Sequence, residues 1–385
     1  MDSGLSARMA RALREHAPKL TAHEPPKNYN AATAIDLSSG QNEVLRSELL
    51  EFFKTTVEEK LTQEAFAMPS VNGGDVVLRG SLSKFFNQYF NPIHPVLPEH
   101  IVVTAGASEA LECLIHSICD DGDSVIVPGP YWYGFDQLFN VRSNVNIIVA
   151  HPPTYQNYDN YLLPSLQAAY NFASDRSRIR AVVLCNPQNP LSRCYPKQAL
   201  VECMEFCQER GLHLVSDEIL ALTSLNTATI SDNAPPFTSA LSLTEPLMRD
   251  GAVKVNPASV HVVWSASKFH LLTWSQLPTL LALNSERLTA SYALLAAALR
   301  KWNIPFVPPT MGLFVFARLG KNVGSVVEEK AFFSRLAVQG VRVGQGRFFG
   351  GVEGEYGWGR VRFGVRVEEM SAVVERIGRF LEREG

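Results

Sequence analysis

The sequence predicts an α/β fold: a large domain on a mostly parallel sheet, joined to a smaller α+β domain. Three observations carry this. From residue 100 onward, short and uniformly apolar segments alternate with helix-length ones, the pattern of strands buried on both faces. From "MGLFVFARL" onward the pattern changes to closely spaced strands and one closing amphipathic helix. The 385 residues also exceed what one simple core organises. The expected division is residues 1–45 as an N-terminal arm and small-domain segment, 46–285 as the large domain, and 286–385 as the C-terminal small domain.

Taken in order, residues 1–34 are polar and Pro-punctuated ("HEPPKNYN") and read as an arm or lid rather than core. "AIDLSSGQNEVL" reads as a short strand and a turn, and "RSELLEFFKTTVEEKLTQEAF" has apolar residues at helical spacing. "HIVVTAGASEALECLIHSIC" and "DSVIVPGPYWYGFDQLF" each read as strand, turn, helix. "RAVVLCNPQNP" is a buried strand ended by a Pro/Asn turn, "QALVECMEFCQERGLHLVSDEIL" is helix, Gly stop, strand, and "SVHVVWSASK" is another buried strand. "GVRVGQGRFF" and "GRVRFGV" are further strands, and "MSAVVERIGRFLERE" is the closing helix.

Composition narrows the function class. Hydrophobic residues make up 46% and charged residues 19%, and the net charge is −3 with no block of like charges. Neither a nucleic-acid footprint nor a polybasic membrane patch is expected. No run is long enough to span a bilayer, and the first thirty residues hold no apolar leader segment. The six cysteines show no zinc-type spacing, so no metal site is expected, and they read as reduced thiols of a cytoplasmic protein.

Ligands of open α/β sheets bind beyond the C-terminal strand ends. Ser108, Trp132, Asn189, Asp217 and Lys268 all fall just past such ends, which is the argument that they share one site. A desolvated lysine such as Lys268 has a lowered pKa and becomes a usable amine; a strand-end lysine reaching solvent is the ordinary alternative. Asp217, after a buried run, needs a cationic partner, either a pyridinium nitrogen or a nearby Arg or Lys. Asn189 sits in a turn, where Asn is common for backbone reasons. "GAS" at 106–108 offers N–H groups and a hydroxyl for a phosphate at a helix N-terminus. Trp132 suits stacking on a flat ring, and equally suits a partly buried loop. Arg360 and Arg362 share one strand, where one is expected to face inward and clamp a carboxylate with its planar fork; a surface salt bridge is the alternative.

The set "GAS", "PYWYGFD", "NPQNP", "SDE", "SxSK" and "GRVRF", in that order, resembles the fold-type I pyridoxal-phosphate enzymes of aminotransferase class I/II. The resemblance is strongest to the 1-aminocyclopropane-1-carboxylate synthase-like branch, through "PYWYGFD" and "IDLSSGQNEVL", and to its fungal secondary-metabolism aminotransferases and carbon–sulfur lyases. It covers roughly residues 28 to 380 and implies pyridoxal 5'-phosphate as cofactor. It also implies an amino-acid-like substrate, a homodimer with the site at the subunit interface, and the following roles. Lys268 bonds the cofactor covalently and later moves the substrate's Cα proton. Asp217 keeps the ring nitrogen protonated, Asn189 bonds the ring 3-oxygen, and Trp132 stacks on the ring. Ala107, Ser108 and Ser265 bind the phosphate. Arg360 binds the substrate α-carboxylate, with Gly40 and Asn72 also at the substrate.

The chain departs from the family pattern at identifiable positions. "FHLLTWSQLP" follows Lys268, with no arginine before Arg287, where the family places a Gly-rich turn and a phosphate-binding arginine. The distance to "MGLF" at 311–314 is short, which reads as a deletion and implies weaker cofactor retention. Leu220 stands for a tyrosine, Asn72 for the partner-subunit tyrosine, and Gln41 for an acid. The competing expectation is a non-catalytic or truncated relative. A serine hydrolase is excluded, because "SASK" follows "SDN" at 231–233 and no K-T-G exists. "GQGRFFG" is one residue too long for a dinucleotide loop.

Overall fold

The computed structural model describes residues 4, 6–22, 25–67, 72–155, 158–226, 234–244, 255–268 and 277–384. Ahead of the main sheet the chain forms α1 (Ala7–Ala22), β1 (Ile35–Asp36), α2 (Arg46–Lys60) and α3 (Val76–Tyr89). α3 starts where the Asp75 carboxylate accepts the Leu78 N–H at 2.8 Å, a side-chain cap on an otherwise free donor. The alternating region runs α4 (Ala107–Ile118), β2 (Ser124–Pro128), α5 (Gly134–Asn140), β3 (Asn146–Ala150), α6 (Leu162–Asn171), β4 (Ile179–Cys185), α7 (Lys197–Glu209), β5 (His213–Asp217) and β6 (Val260–Val263). α8 (Leu277–Lys301) leads to β7 (Phe306–Val307), β8 (Phe314–Arg318), α9 (Val326–Val338), β9 (Val341–Arg342), β10 (Gly344–Gln345), β11 (Trp358–Arg362) and α10 (Val367–Glu384).

The central sheet has the order β3-β2-β4-β5-β6, and every pair in it is parallel. Side chains alternate across its faces with the period of two that a strand requires. Val182 and Leu184 pack with α6 and α7, while Ala181 and Val183 pack with α4 and α5. Both faces are therefore dry, which is why these strands read as unbroken apolar runs. Leu184 is 1% exposed, so truncating it to alanine costs about 2–5 kcal/mol.

The second sheet is antiparallel, in the order β10-β11-β8-β7, and β1 pairs in parallel with β9. Ile35 lies opposite Val341, so the N-terminal segment is built into the C-terminal third of the chain. α8 and α10 pack on this sheet through Leu288, Leu295, Val373 and Ile377.

Three local expectations change. Residues 101–104, expected as a strand, join no sheet: Val102 is 73% exposed, and the segment is held by a bond from Val103 N–H to the Gly73 carbonyl, 2.8 Å. The N-terminal stretch expected as an arm contains the sixteen-residue α1, with Ala12 buried. "GVRVGQGRFF" is two short strands followed by a 3₁₀ turn at Gly346–Phe349, not one strand. The "SDN" at 231–233 and most of the segment after Lys268, residues 269–276, lie outside the described residues. Among the described residues no helix is long and apolar enough to cross a membrane, no cluster of three metal-ligating side chains occurs, and all six cysteines are free.

Candidate active site

Asp217 is the last residue of β5, delivered to the C-terminal edge of the sheet and left 4% exposed. Its Oδ1 accepts the Ile219 N–H at 3.2 Å, and the Cys185 thiol, at the end of neighbouring β4, lies 3.9 Å from its Oδ2. Among the described residues it has no ion-pair partner. Burial pushes its pKa up to about 6, against the opposing pull of the Ile219 N–H and the Lys268 charge.

Lys268 follows the edge strand β6 by five residues. Its Nζ donates to the Gly40 carbonyl at 2.7 Å. Burial lowers its pKa, the Arg360 cation lowers it further, and Asp217 pulls the other way. Acid and amine thus sit near enough to act on each other without pairing, and each is driven toward its neutral form. A buried carboxyl in this state lacks a cation.

Arg360 comes in from the other sheet. Its Nη1 donates to Asn189 Oδ1 at 2.9 Å and its Nη2 to the Ser38 carbonyl, while the guanidinium lies over Phe314 (4.1 Å) and Phe349 (4.9 Å). It is 2% exposed, and burial pushes its pKa down to about 10. Its Nε has no partner among the described residues. Because an arginine only donates, Asn189 must turn its oxygen toward Arg360, which leaves the amide N–H groups of Asn189 facing away. Arg362 is buried too, tied to Glu43 Oε1 (2.8 Å) and the Asp36 carbonyl (2.7 Å). The expectation that one of the two arginines would face inward is therefore corrected: residues two apart on a strand share a face.

The other expected residues have no described contact to this group and take the following places. Ala107, buried, and Ser108, exposed, form the first turn of α4, whose N-terminus carries no side-chain cap. Trp132 is half-buried with its ring edge-on to Phe135 at 5.7 Å, and a Cβ at Gly134 would stand 2.3 Å from the indole, so this aromatic step requires that glycine. The Ser265 hydroxyl is engaged in its own turn, accepting from Ser267 N–H at 3.1 Å and bonding the Ser267 hydroxyl at 3.0 Å. Asn72 lies in the exposed turn before α3, and no described contact joins it to Lys268 or Asp217. Leu220, in the place of a tyrosine, is buried in the apolar core.

The donor set fits a pyridine-type cofactor bearing a phosphate: a buried carboxyl lacking a cation, a lysine with a lowered pKa beside it, a half-buried indole and an uncapped helix N-terminus. Sequence reasoning missed Asn42, Asn284, Cys185 and the Phe314–Phe349 stack on Arg360. Asn42 lay within the quoted "GQN", but nothing in its spacing named a partner.

The family model described as aminotransferase class I and II matches residues 32–273 and 278–377, with its break inside the short connection after Lys268. A probable aminotransferase, aclI, of Aspergillus oryzae is 30% identical over 416 aligned residues, covering 97% of each chain. A 1-aminocyclopropane-1-carboxylate synthase of Oryza sativa is 25% identical over 339 residues, covering 80% of this chain and 60% of that one. The solved aspartate aminotransferase of Thermotoga maritima superposes with a TM-score of 0.69 at 18% identity, covering 98% of this chain and 100% of that one, a likeness of fold.

Proposed function

The chain belongs to the aminotransferase class I and II family, enzymes that work with pyridoxal 5'-phosphate, and on that premise we propose a catalyst acting on an amino-acid-like substrate. The reaction is transamination or elimination with C–S cleavage, and the setting is secondary metabolism. The observation that carries this is that buried Asp217, ending β5, and part-buried Lys268, five residues past the end of neighbouring β6 with its Nζ on the Gly40 carbonyl, act on each other's charge without forming an ion pair.

The bound cofactor supplies an electron sink for the carbanion left when the Cα proton departs. This chain's residues do the rest. Lys268 Nζ holds the cofactor and takes or returns the Cα proton; its lowered pKa leaves a larger share of neutral amine near pH 7. Asp217 would hold the proton of the cofactor's ring nitrogen, and that pairing would offset the cost of burying the carboxylate. Asn189 turns its N–H groups to the ring oxygen because Arg360 holds its carbonyl. Arg360 takes the substrate carboxylate, with an Nε that has no partner among the described residues. Trp132 would cover the cofactor's ring, Ala107, Ser108 and Ser265 would hold its phosphate, and Gly40 would border the substrate.

Asn72 serves the site of a second copy, in a homodimer. The exposed Leu50, Phe53 and Val57 of α2, with Val76 and Val77 of α3, give apolar surface for it to cover. The division at 45 and 285, and a cytoplasmic location, belong to the same reading.

The test is a visible-absorbance titration with pyridoxal 5'-phosphate, followed by borohydride trapping and peptide mapping. A saturable band with the label on Lys268 is expected. No band, or label scattered over surface lysines, would overturn the reading in favour of a non-catalytic relative. Substrate screening then separates the branches. Keto-acid formation that requires an amino acceptor marks transamination, and acceptor-independent release of thiol and ammonia marks elimination.

A further inference from the structure

Three distant parts of the chain meet at Lys268. Asn42 Nδ2 donates to the Lys268 backbone carbonyl at 3.1 Å and to Asn284 Oδ1 at 2.8 Å. Asn42 Oδ1 accepts the Val44 N–H at 3.4 Å. Asn42 is 8% exposed and Asn284, on α8, is fully buried. The orientation of both amides follows from chemistry. A carbonyl only accepts, so Asn42 must present its NH₂ to Lys268, and Asn284 must then present its oxygen to Asn42.

The Ser265–Ser267 turn leads into this lysine, and no other described hydrogen bond reaches its own atoms. β6 ends at Val263 and is the edge strand of the sheet, so no ladder reaches residues 264–268. The two described hydrogen bonds of Lys268 both go to the 40–42 segment: Nζ to the Gly40 carbonyl, and the backbone carbonyl to Asn42. That segment is itself anchored, by Glu43 N–H to the Gly364 carbonyl at 2.9 Å and by Arg362 to Glu43. α8 is the next described element after the lysine, and Asn284 returns from it to lock the amide that holds the lysine's backbone.

We infer that Asn42 and Asn284 are positioning residues: a buried amide pair that fixes the backbone of Lys268 beyond the end of the sheet. Proton transfer demands placement of Nζ within a fraction of an ångström, so a loosened backbone weakens the chemical step more than substrate binding. The consequence for turnover rests on the cofactor reading above; the clamp itself does not.

Asn42→Ala and Asn284→Ala remove the clamp, and Asn284→Asp keeps an acceptor oxygen at the same place. In cofactor-free protein, competitive acetylation across pH, read by mass spectrometry, reports the pKa of the Lys268 amine, and hydrogen exchange reports the mobility of its peptide. The alanine variants are expected to raise that pKa toward the ordinary lysine value and to speed exchange of the Lys268 peptide at least tenfold, with other peptides unchanged. In loaded protein they lower kcat at least tenfold while KM moves less than threefold, and Asn284→Asp stays within threefold of the parent. Unchanged lysine pKa and exchange, exchange raised across the whole chain, or an Asp variant no better than Ala would each overturn the clamp. Should Asn42→Ala fail to fold, Asn284→Ala decides, and failure of both makes the pair a folding element and overturns the positioning role. A parent protein that does not trap the cofactor on Lys268 refutes the functional reading alone, since the measurements without cofactor still decide the clamp.

Discussion

Asp217→Asn is expected to stabilise the cofactor-free protein while disabling the loaded one. The carboxyl's ordinary value is 3.8 and its folded value about 6, set by burial. Between those values the unfolded chain has lost the proton and the folded chain retains it, so the folded state binds more protons and stability falls as pH rises through this window. At 1.36 kcal/mol per pH unit the interval amounts to about 3 kcal/mol, fully present below pH 3.8 and lost above pH 6. Asparagine keeps an acceptor for the Ile219 N–H and carries no charge to desolvate. At pH 7.5 the variant should therefore exceed the parent by up to about 3 kcal/mol. For 385 residues, at about 2.1 cal/mol/K per residue, this is roughly 4 °C in Tm. The assay is denaturant unfolding of both proteins without cofactor from pH 4 to pH 8. The difference should grow with pH and level off above 6. A variant no more stable than the parent at pH 7.5, or a gap independent of pH, refutes the reasoning. With cofactor the order reverses, and turnover should drop by orders of magnitude, because an amide does not hold the ring nitrogen's proton.

The other predictions concern the remaining groups. Lys268→Ala should abolish turnover and remove the borohydride-stable label, and retained activity would eliminate its covalent role. Arg360→Lys loses the planar fork that reaches Asn189 and Ser38, and KM should rise about 10–100-fold with a smaller change in kcat, read from steady-state kinetics. Gly40→Ala places a Cβ 3.2 Å from Lys268 Nζ and should slow covalent capture of the cofactor, followed by stopped-flow absorbance. His213 and His261 share a 3.0 Å hydrogen bond across β5 and β6, and burial, then His213, brings His261 down to about 4. Stability from this pair is complete above pH 6.5 and lost as pH falls toward 4. About 1–2 kcal/mol is at stake once solvent screening is allowed for. In His261→Gln that part of the acid slope should vanish from the unfolding curves.

Much of this protein is legible in its chain. The α/β class follows from apolar strands such as "RAVVLC", because a strand covered on both faces must be apolar at every position. The common placement of Lys268, Asp217 and Asn189 is legible, because each lies at or just past the end of a strand on the same edge of a parallel sheet, whereas no described contact joins Trp132 to them. Residues 101–104 misled, since "IVV" has the composition of a strand while pairing depends on a neighbour that composition does not name. The pairing of Arg360 and Arg362 on one face follows from strand period alone.

What the sequence by itself determined is the chemistry available: an amine, a carboxyl, an amide and a guanidinium, placed by local pattern at strand ends. Only the tertiary structure decided their state. The rise of Asp217, the fall of Lys268 and the burial of Arg360 on Phe314 and Phe349 come from desolvation and from charges contributed by segments far apart in the chain. The grip of Asn42 on Lys268 joins residues 226 positions apart, and that of Asn42 on Asn284 joins residues 242 apart. Hydrogen bonds of this kind depend on where the chain returns in space, a property of packing that no spacing along the chain encodes.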